Sequence, residues 1–159
     1  MQIKTKRLQS IRQGSIVNHH YFGRALRTFL NSNDVFRLLP EGSWIEGGCL
    51  TLALTLKKWI PNSHLIAVTG SRGGAPAVQQ HFVLLWQNVY LDGDGLAKAD
   101  ELLERMRILE DVTSPCLLSK TNIAAAIGNG IPRWKEIEQE LLNRLTRKFG
   151  PFCPALLLV

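Results

Sequence analysis

Three kinds of side chain that can together carry out nucleophilic chemistry lie near the middle of this 159-residue chain: the thiol of Cys49, the imidazole of His81 and the carboxylates of Asp92 and Asp94. A thiolate attacks carbonyl carbon, an imidazole moves protons near neutral pH, and a carboxylate fixes the ring and supports its charge. Cys49 follows Gly47-Gly48 and opens an apolar run, Cys49-Leu-Thr-Leu-Ala-Leu-Thr-Leu-Lys-Lys-Trp-Ile60, that stops at Pro61. The run is long enough for about three turns and predicts a mostly buried helix with the thiol in its first turn. Unpaired amides and the positive dipole end favour a thiolate there. The two glycines let the backbone turn sharply and leave room for a substrate to approach.

The segments His81–Trp86 and Val89–Asp94 are β-rich and separated by Gln87-Asn88, which predicts a hairpin. With a two-residue turn, Trp86 pairs with Val89, Val83 with Asp92 and His81 with Asp94. Strand alternation then puts His81, Val83 and Leu85 on one face with Tyr90, Asp92 and Asp94. Asp94 is directly opposite the imidazole and Asp92 diagonal to it, at about 7–8 Å between backbones, so either can reach the ring.

Cysteine at a helix start, histidine on a strand and aspartate on the next strand is an order that resembles the transglutaminase-like and papain-like cysteine hydrolases. The matching pieces are Gly47-Gly48-Cys49, the strand from His81, and Tyr90-Leu91-Asp92-Gly93-Asp94-Gly95, which is similar to the YLDADG segment of small bacterial members. Together they cover about a third of the chain. The resemblance implies Cys49 as nucleophile, His81 as general base and then acid, and Asp92 as the group orienting His81. It also implies a peptide or amide substrate and a papain-like or transglutaminase-like α+β core. One departure concerns the glutamine that the papain branch carries a few residues before its cysteine. Here Ser43, Trp44, Ile45 and Glu46 occupy those positions, leaving the Cys49 amide and a second donor to stabilise an oxyanion.

Each residue also has a plainer role. Free cysteine is often simply core, and Cys116 and Cys153 lack the context of Cys49 and read as structural. His19 and His20 fall on a predicted helix, and His64, opening a strand, is the one rival to His81. Asp-Gly-Asp-Gly also suits a tight turn, and it lacks the later glutamate of a calcium loop. Trp44, Gly47, Gly48 and Asp94 flank the three central residues and are candidate substrate contacts, although Trp44, with Trp59 and Trp86, also reads as a core or rim aromatic.

The remaining elements must hold these groups in place. Phe22, Leu26, Phe29 and Leu30 recur at helical spacing within about 18–30. Val35–Ile45 forms a packed loop, His64–Thr69 a buried strand, and Gly70–Ala77 a loop placed to act as a lid before His81. Lys98–Leu109 is helical; Val112–Asn129 is ambiguous, with a short helix over Thr121–Ile127. Pro132–Lys148 predicts a helix with Pro132 in its first turn, acids early and bases late. The residues up to Gly14 stay undecided, and the apolar tail Cys153–Val159 needs a surface to dock on. The expected architecture is one α+β domain over residues 1–159. Its core spans about 15–110, with N-terminal helices on a small antiparallel sheet, and a C-terminal helical extension covers about 111–159.

Hydrophobic residues make up 45% of the chain, ample for a core, and the net charge is +6. The bases form no concentrated signature, which argues against nucleic acid as the main partner. Three cysteines without paired spacing argue against a disulfide framework and a zinc knuckle and fit a reducing, cytoplasmic setting. No apolar stretch suggests a signal peptide or membrane span, and no cofactor or metal is expected. Two other functions stay open: a non-enzymatic protein-binding module on the same scaffold, and a basic nucleic-acid-binding domain.

Overall fold

The computed structural model describes residues 21–153. The readings for the first arm, for His19 and His20, and for 154–159 of the apolar tail lie outside the described residues.

The chain forms a five-stranded antiparallel sheet with helices on both faces, an α+β arrangement. Helical residues 21–30 (α1) bury Phe22, Leu26 and Leu30, one side chain per turn. A single turn, α2 (Asn33–Phe36), and a closely bonded loop lead to α3 (Cys49–Trp59). Leu50, Leu52 and Leu56 of α3 are fully buried. Burial contributes about 1.5–3 kcal/mol for each of them. That outweighs the propensity cost of Thr51 and Thr55, below about 1 kcal/mol apiece. The helix is therefore formed by the core it packs into.

The strands are β1 (His64–Ser71), β2 (Val78–Trp86), β3 (Val89–Asp92), β4 (Gly95–Ala97) and β5 (Thr113–Leu118), in the spatial order β4-β3-β2-β1-β5. Both β1 and β2 outrun their expected bounds, and the exposed loop between them shrinks to 72–77. The β2–β3 register pairs Trp86 with Val89, Leu85 with Tyr90 and Leu84 with Leu91. Gln87 and Asn88 both have positive φ, 46° and 65°, as a type I′ hairpin turn requires. A two-residue turn thus fixes which side chains of β3 share a face with His81.

Alternation along β1 and β2 feeds two layers. Leu65, Ala67 and Phe82 pack with Cys49, Leu50 and Ala53 of α3. On the other face Ile66, Val68 and Val83 pack with Leu102 and Met106 of α4 (Ala99–Leu109). The short helix α5 (Ile123–Gly128) and the long α6 (Lys135–Phe149) follow.

The region after 110 departs from the expected helical extension in three ways. Its first element is β5, an edge strand paired with β1. Pro115 and a positive φ at Ser114 conceal it in the sequence, and both are tolerated because an edge strand need not pair on its outer side. Helix α6 starts at Lys135, so Pro132 precedes it and is not in its first turn. Finally, Leu141 and Leu145 join the same cluster as Leu26, Leu56 and Trp86, so α6 is part of the main core.

Candidate active site

The loop before α3 is built to place Cys49. Ser43 ties it together: its amide donates to the Glu46 carbonyl (2.7 Å), its carbonyl accepts from the Gly48 amide (2.8 Å), and its hydroxyl accepts from the Glu46 amide (3.0 Å). Gly47 closes the loop at φ +88°, a conformation that would strain any residue with a Cβ. No side chain caps α3 at Gly48, so the first amides of the helix stay available beside the thiol.

His81 and Asp92 come from adjacent strands. The Nε2–H of His81 donates to Oδ2 of Asp92 at 2.9 Å, and both side chains are almost fully buried. Oδ1 of Asp92 accepts the Asp94 amide at 2.9 Å. With Nε2 committed, Nδ1 is the nitrogen left for the thiol, and the Cys49 side chain is near enough to the ring to favour its charged form. The β2–β3 ladder has ended by this point, its last pair being Leu84 with Leu91. Cys49 therefore meets β2 where β3 no longer pairs with it.

The electrostatics of the three groups are coupled. Burial is the largest influence on His81 and works against its charged form. The hydrogen bond to Asp92 and the interaction with Cys49 outweigh it and push the imidazole up to about 10. Burial likewise opposes charge on Asp92, but the His81 hydrogen bond, the charges of His81 and Arg105, and the Asp94 amide hold the carboxyl below its ordinary range. Near neutral pH the pair is an imidazolium and a carboxylate.

Cys49 is only 3% exposed. That small surface nonetheless opens, with His81, onto a cavity of about 210 Å3. Its walls are Glu46–Gly47 from the loop, Val78–His81 from β2, Arg72, Glu110 and Met106 on one side, and 129–132 on the other. Two sets of contacts anchor the last wall. The Trp134 amide donates to the Thr51 hydroxyl at 3.0 Å, and the buried Glu138 carboxylate accepts from Arg133 (2.7 Å) and Lys58 (2.8 Å). A reciprocal amide pair, Gln79 with the backbone of Asn122 at 2.8 and 3.0 Å, fastens the start of β2 to α5.

Cys49, His81 and Asp92 are thus brought together, with Gly47 on the cavity wall. The other expected contacts lie elsewhere. Trp44 is a core residue, 2% exposed, and its indole donates to the Leu30 carbonyl at 2.9 Å. Gly48 faces the Ser43 carbonyl and Leu39, where a Cβ would crowd both. Asp94 does not oppose His81, because β3 ends at Asp92 and the chain turns at Gly93. Its carboxylate pairs with Arg105 (3.3 Å) and Arg27 (3.8 Å). Cys116 and Cys153 are exposed free thiols, neither of them core, and the Cys116 sulfur lies 2.9 Å from the Thr69 hydroxyl.

The sequence reading missed Arg105, which pairs with the same Asp92 oxygen as His81. Only its position on α4, three residues after the buried Leu102 and one before the buried Met106, hinted that it would turn toward the sheet. Among the described residues, no group of three or more His, Cys, Asp or Glu side chains could hold a metal ion, and no helix is long and apolar enough to cross a membrane. Comparison of the chain with protein-family models, curated proteins and solved structures finds no match.

Proposed function

We propose that the protein is a cysteine-dependent acyl-transfer enzyme, a hydrolase or acyltransferase acting on a peptide or amide, on a papain-like or transglutaminase-like core. The observation that carries this reading is that Cys49 and His81 open onto one cavity while Asp92, buried behind the ring, accepts a hydrogen bond from His81. The Cys49 sulfur attacks the substrate carbonyl carbon as a thiolate. A C–S bond forms and the carbonyl π pair moves onto oxygen, where amides at the uncapped start of α3 receive the charge. The C–N bond then breaks as the His81 imidazolium gives its proton to the departing amine. A thioester remains. Water or a second amine attacks it, His81 takes the proton from that nucleophile, and the C–S bond breaks to restore the thiolate. Throughout, Asp92 holds the ring and balances its charge.

The test is selective alkylation. Iodoacetamide at neutral pH should modify Cys49 in the folded protein although the exposed Cys116 and Cys153 are easier to reach. In His81→Gln the Cys49 rate should fall about tenfold or more. Mass spectrometry of the peptides reads both rates. Modification of Cys116 and Cys153 ahead of Cys49, with no effect of His81→Gln, would sink the proposal.

A further inference from the structure

We infer that Glu46 determines specificity at the Cys49 cavity and selects acyl groups whose side chain beside the attacked carbonyl is cationic, lysine-like or arginine-like. This rests on the acyl-transfer reading above and adds the substrate class to it. The argument begins with the charges on the cavity walls. Glu110 is neutralised by Arg72, whose Nη2 lies 3.2 Å from Oε2. His81 is balanced by Asp92 behind it. Glu46 lines the cavity as an exposed residue, with no counter-ion or donor on its carboxylate among the described residues. The chain as a whole carries +6, so an unpaired anion beside the nucleophile runs against the global charge.

The neutral part of the lining fits the same ligand. Ile45, Val78, Met106, Ile131 and Pro132 give aliphatic surface for the methylene stem of a long cationic side chain. The Gln79 side chain is fully engaged, its NH2 donating to the Asn122 carbonyl and its oxygen accepting from the Asn122 amide, and the Gln80 NH2 donates to the Gly70 carbonyl. A volume of about 210 Å3 falls below the roughly 300–1,000 Å3 of sites for whole small molecules, which suits one side chain. The backbone from which the Glu46 side chain springs is fixed, its amide and carbonyl both bonded to Ser43 at 3.0 and 2.7 Å.

The test uses peptidyl chloromethyl ketones that alkylate Cys49 and differ only at the residue beside the ketone: lysine, its uncharged isostere norleucine, or glutamate. The readout is the ratio of inactivation rates within each protein, which cancels any change in the intrinsic reactivity of the thiol. The wild type should prefer lysine over norleucine by about fivefold, the value of one solvent-accessible ion pair, and disfavour glutamate. Glu46→Gln should bring the lysine to norleucine ratio to about one, and Glu46→Lys should favour glutamate. In the wild type, 1 M salt should also shrink the ratio, which tests the electrostatic origin even if a variant fails to fold. Equal rates for all three probes, or a lysine preference that survives Glu46→Gln, would overturn the role of Glu46 and leave the acyl-transfer reading standing. Failure of every probe to label Cys49 would overturn that reading and this one together.

Discussion

One oxygen of Asp92 serves two cations. Oδ2 accepts from His81 and pairs with Arg105, while Arg105 also reaches Asp94. Arg105 therefore acts through Asp92 as a positioning residue: it holds the carboxylate ionised and shares its charge with the imidazole. Its Nε is buried and has no partner among the described residues, a cost that the contacts of its two Nη groups must offset. We predict that Arg105→Gln costs about 3 kcal/mol of stability at pH 7, because a buried carboxylate loses one of its two cations. The pH dependence has a definite sign. A carboxyl lowered from its ordinary 3.8 adds stability above that value and loses it as pH falls through the native one. Removing Arg105 raises the native value, so the midpoint of acid unfolding should move to higher pH. An unchanged midpoint, followed by circular dichroism, would remove Arg105 from this role.

Among the elements, the β3–β4 turn and the loop before α3 place Asp92 and Cys49 together, and they meet at Gly93. A Cβ on Gly93 would lie 2.9 Å from the Trp44 carbonyl carbon and 2.9 Å from Ile45 Cγ1. We expect Gly93→Ala to cost about 1–3 kcal/mol through this overpacking and to slow alkylation of Cys49 as well. Lost stability with the alkylation rate intact would show that the turn and the loop are independent. What was legible in the sequence follows the same division. Helix α3, strands β1 to β3 and the Gln87-Asn88 turn announce themselves through local pattern and proline, and so Cys49, His81 and Asp92 could be named together. Choosing between Asp92 and Asp94 needed the end of β3. Arg105 and the 129–132 wall depend on contacts between segments far apart in the chain, which periodicity does not encode. Strand β5 was hidden because Pro115 interrupts it and its sequence, Thr-Ser-Pro-Cys-Leu-Leu, does not alternate polar and apolar residues although its burial does.

On the scale of the whole molecule, the buried pair sets a pH window. His81 rises from 6.5 to about 10 on folding, so its contribution is complete below about pH 6.5 and lost as pH climbs through 10. Asp92 and Glu138, both lowered, contribute above their ordinary values and lose that contribution in acid. Stability should therefore peak between roughly pH 5 and 6.5. The wild type should lose about 2 kcal/mol or more, ~5 °C of melting temperature, between pH 6.5 and 10, and His81→Gln should show a flatter alkaline limb. Parallel limbs in thermal scans would refute the assignment. A last consequence comes from the length of the hairpin turn. Since the β2–β3 connection is two residues, Gln87 and Asn88, the chain between His81 and Asp92 works as a counter with a period of two. A single residue added between Gln87 and Asn88 with the β3 pairing carried along would roll Asp92 to the far side of the sheet. The chain would keep every chemical group it has now and lose the arrangement that makes them a set.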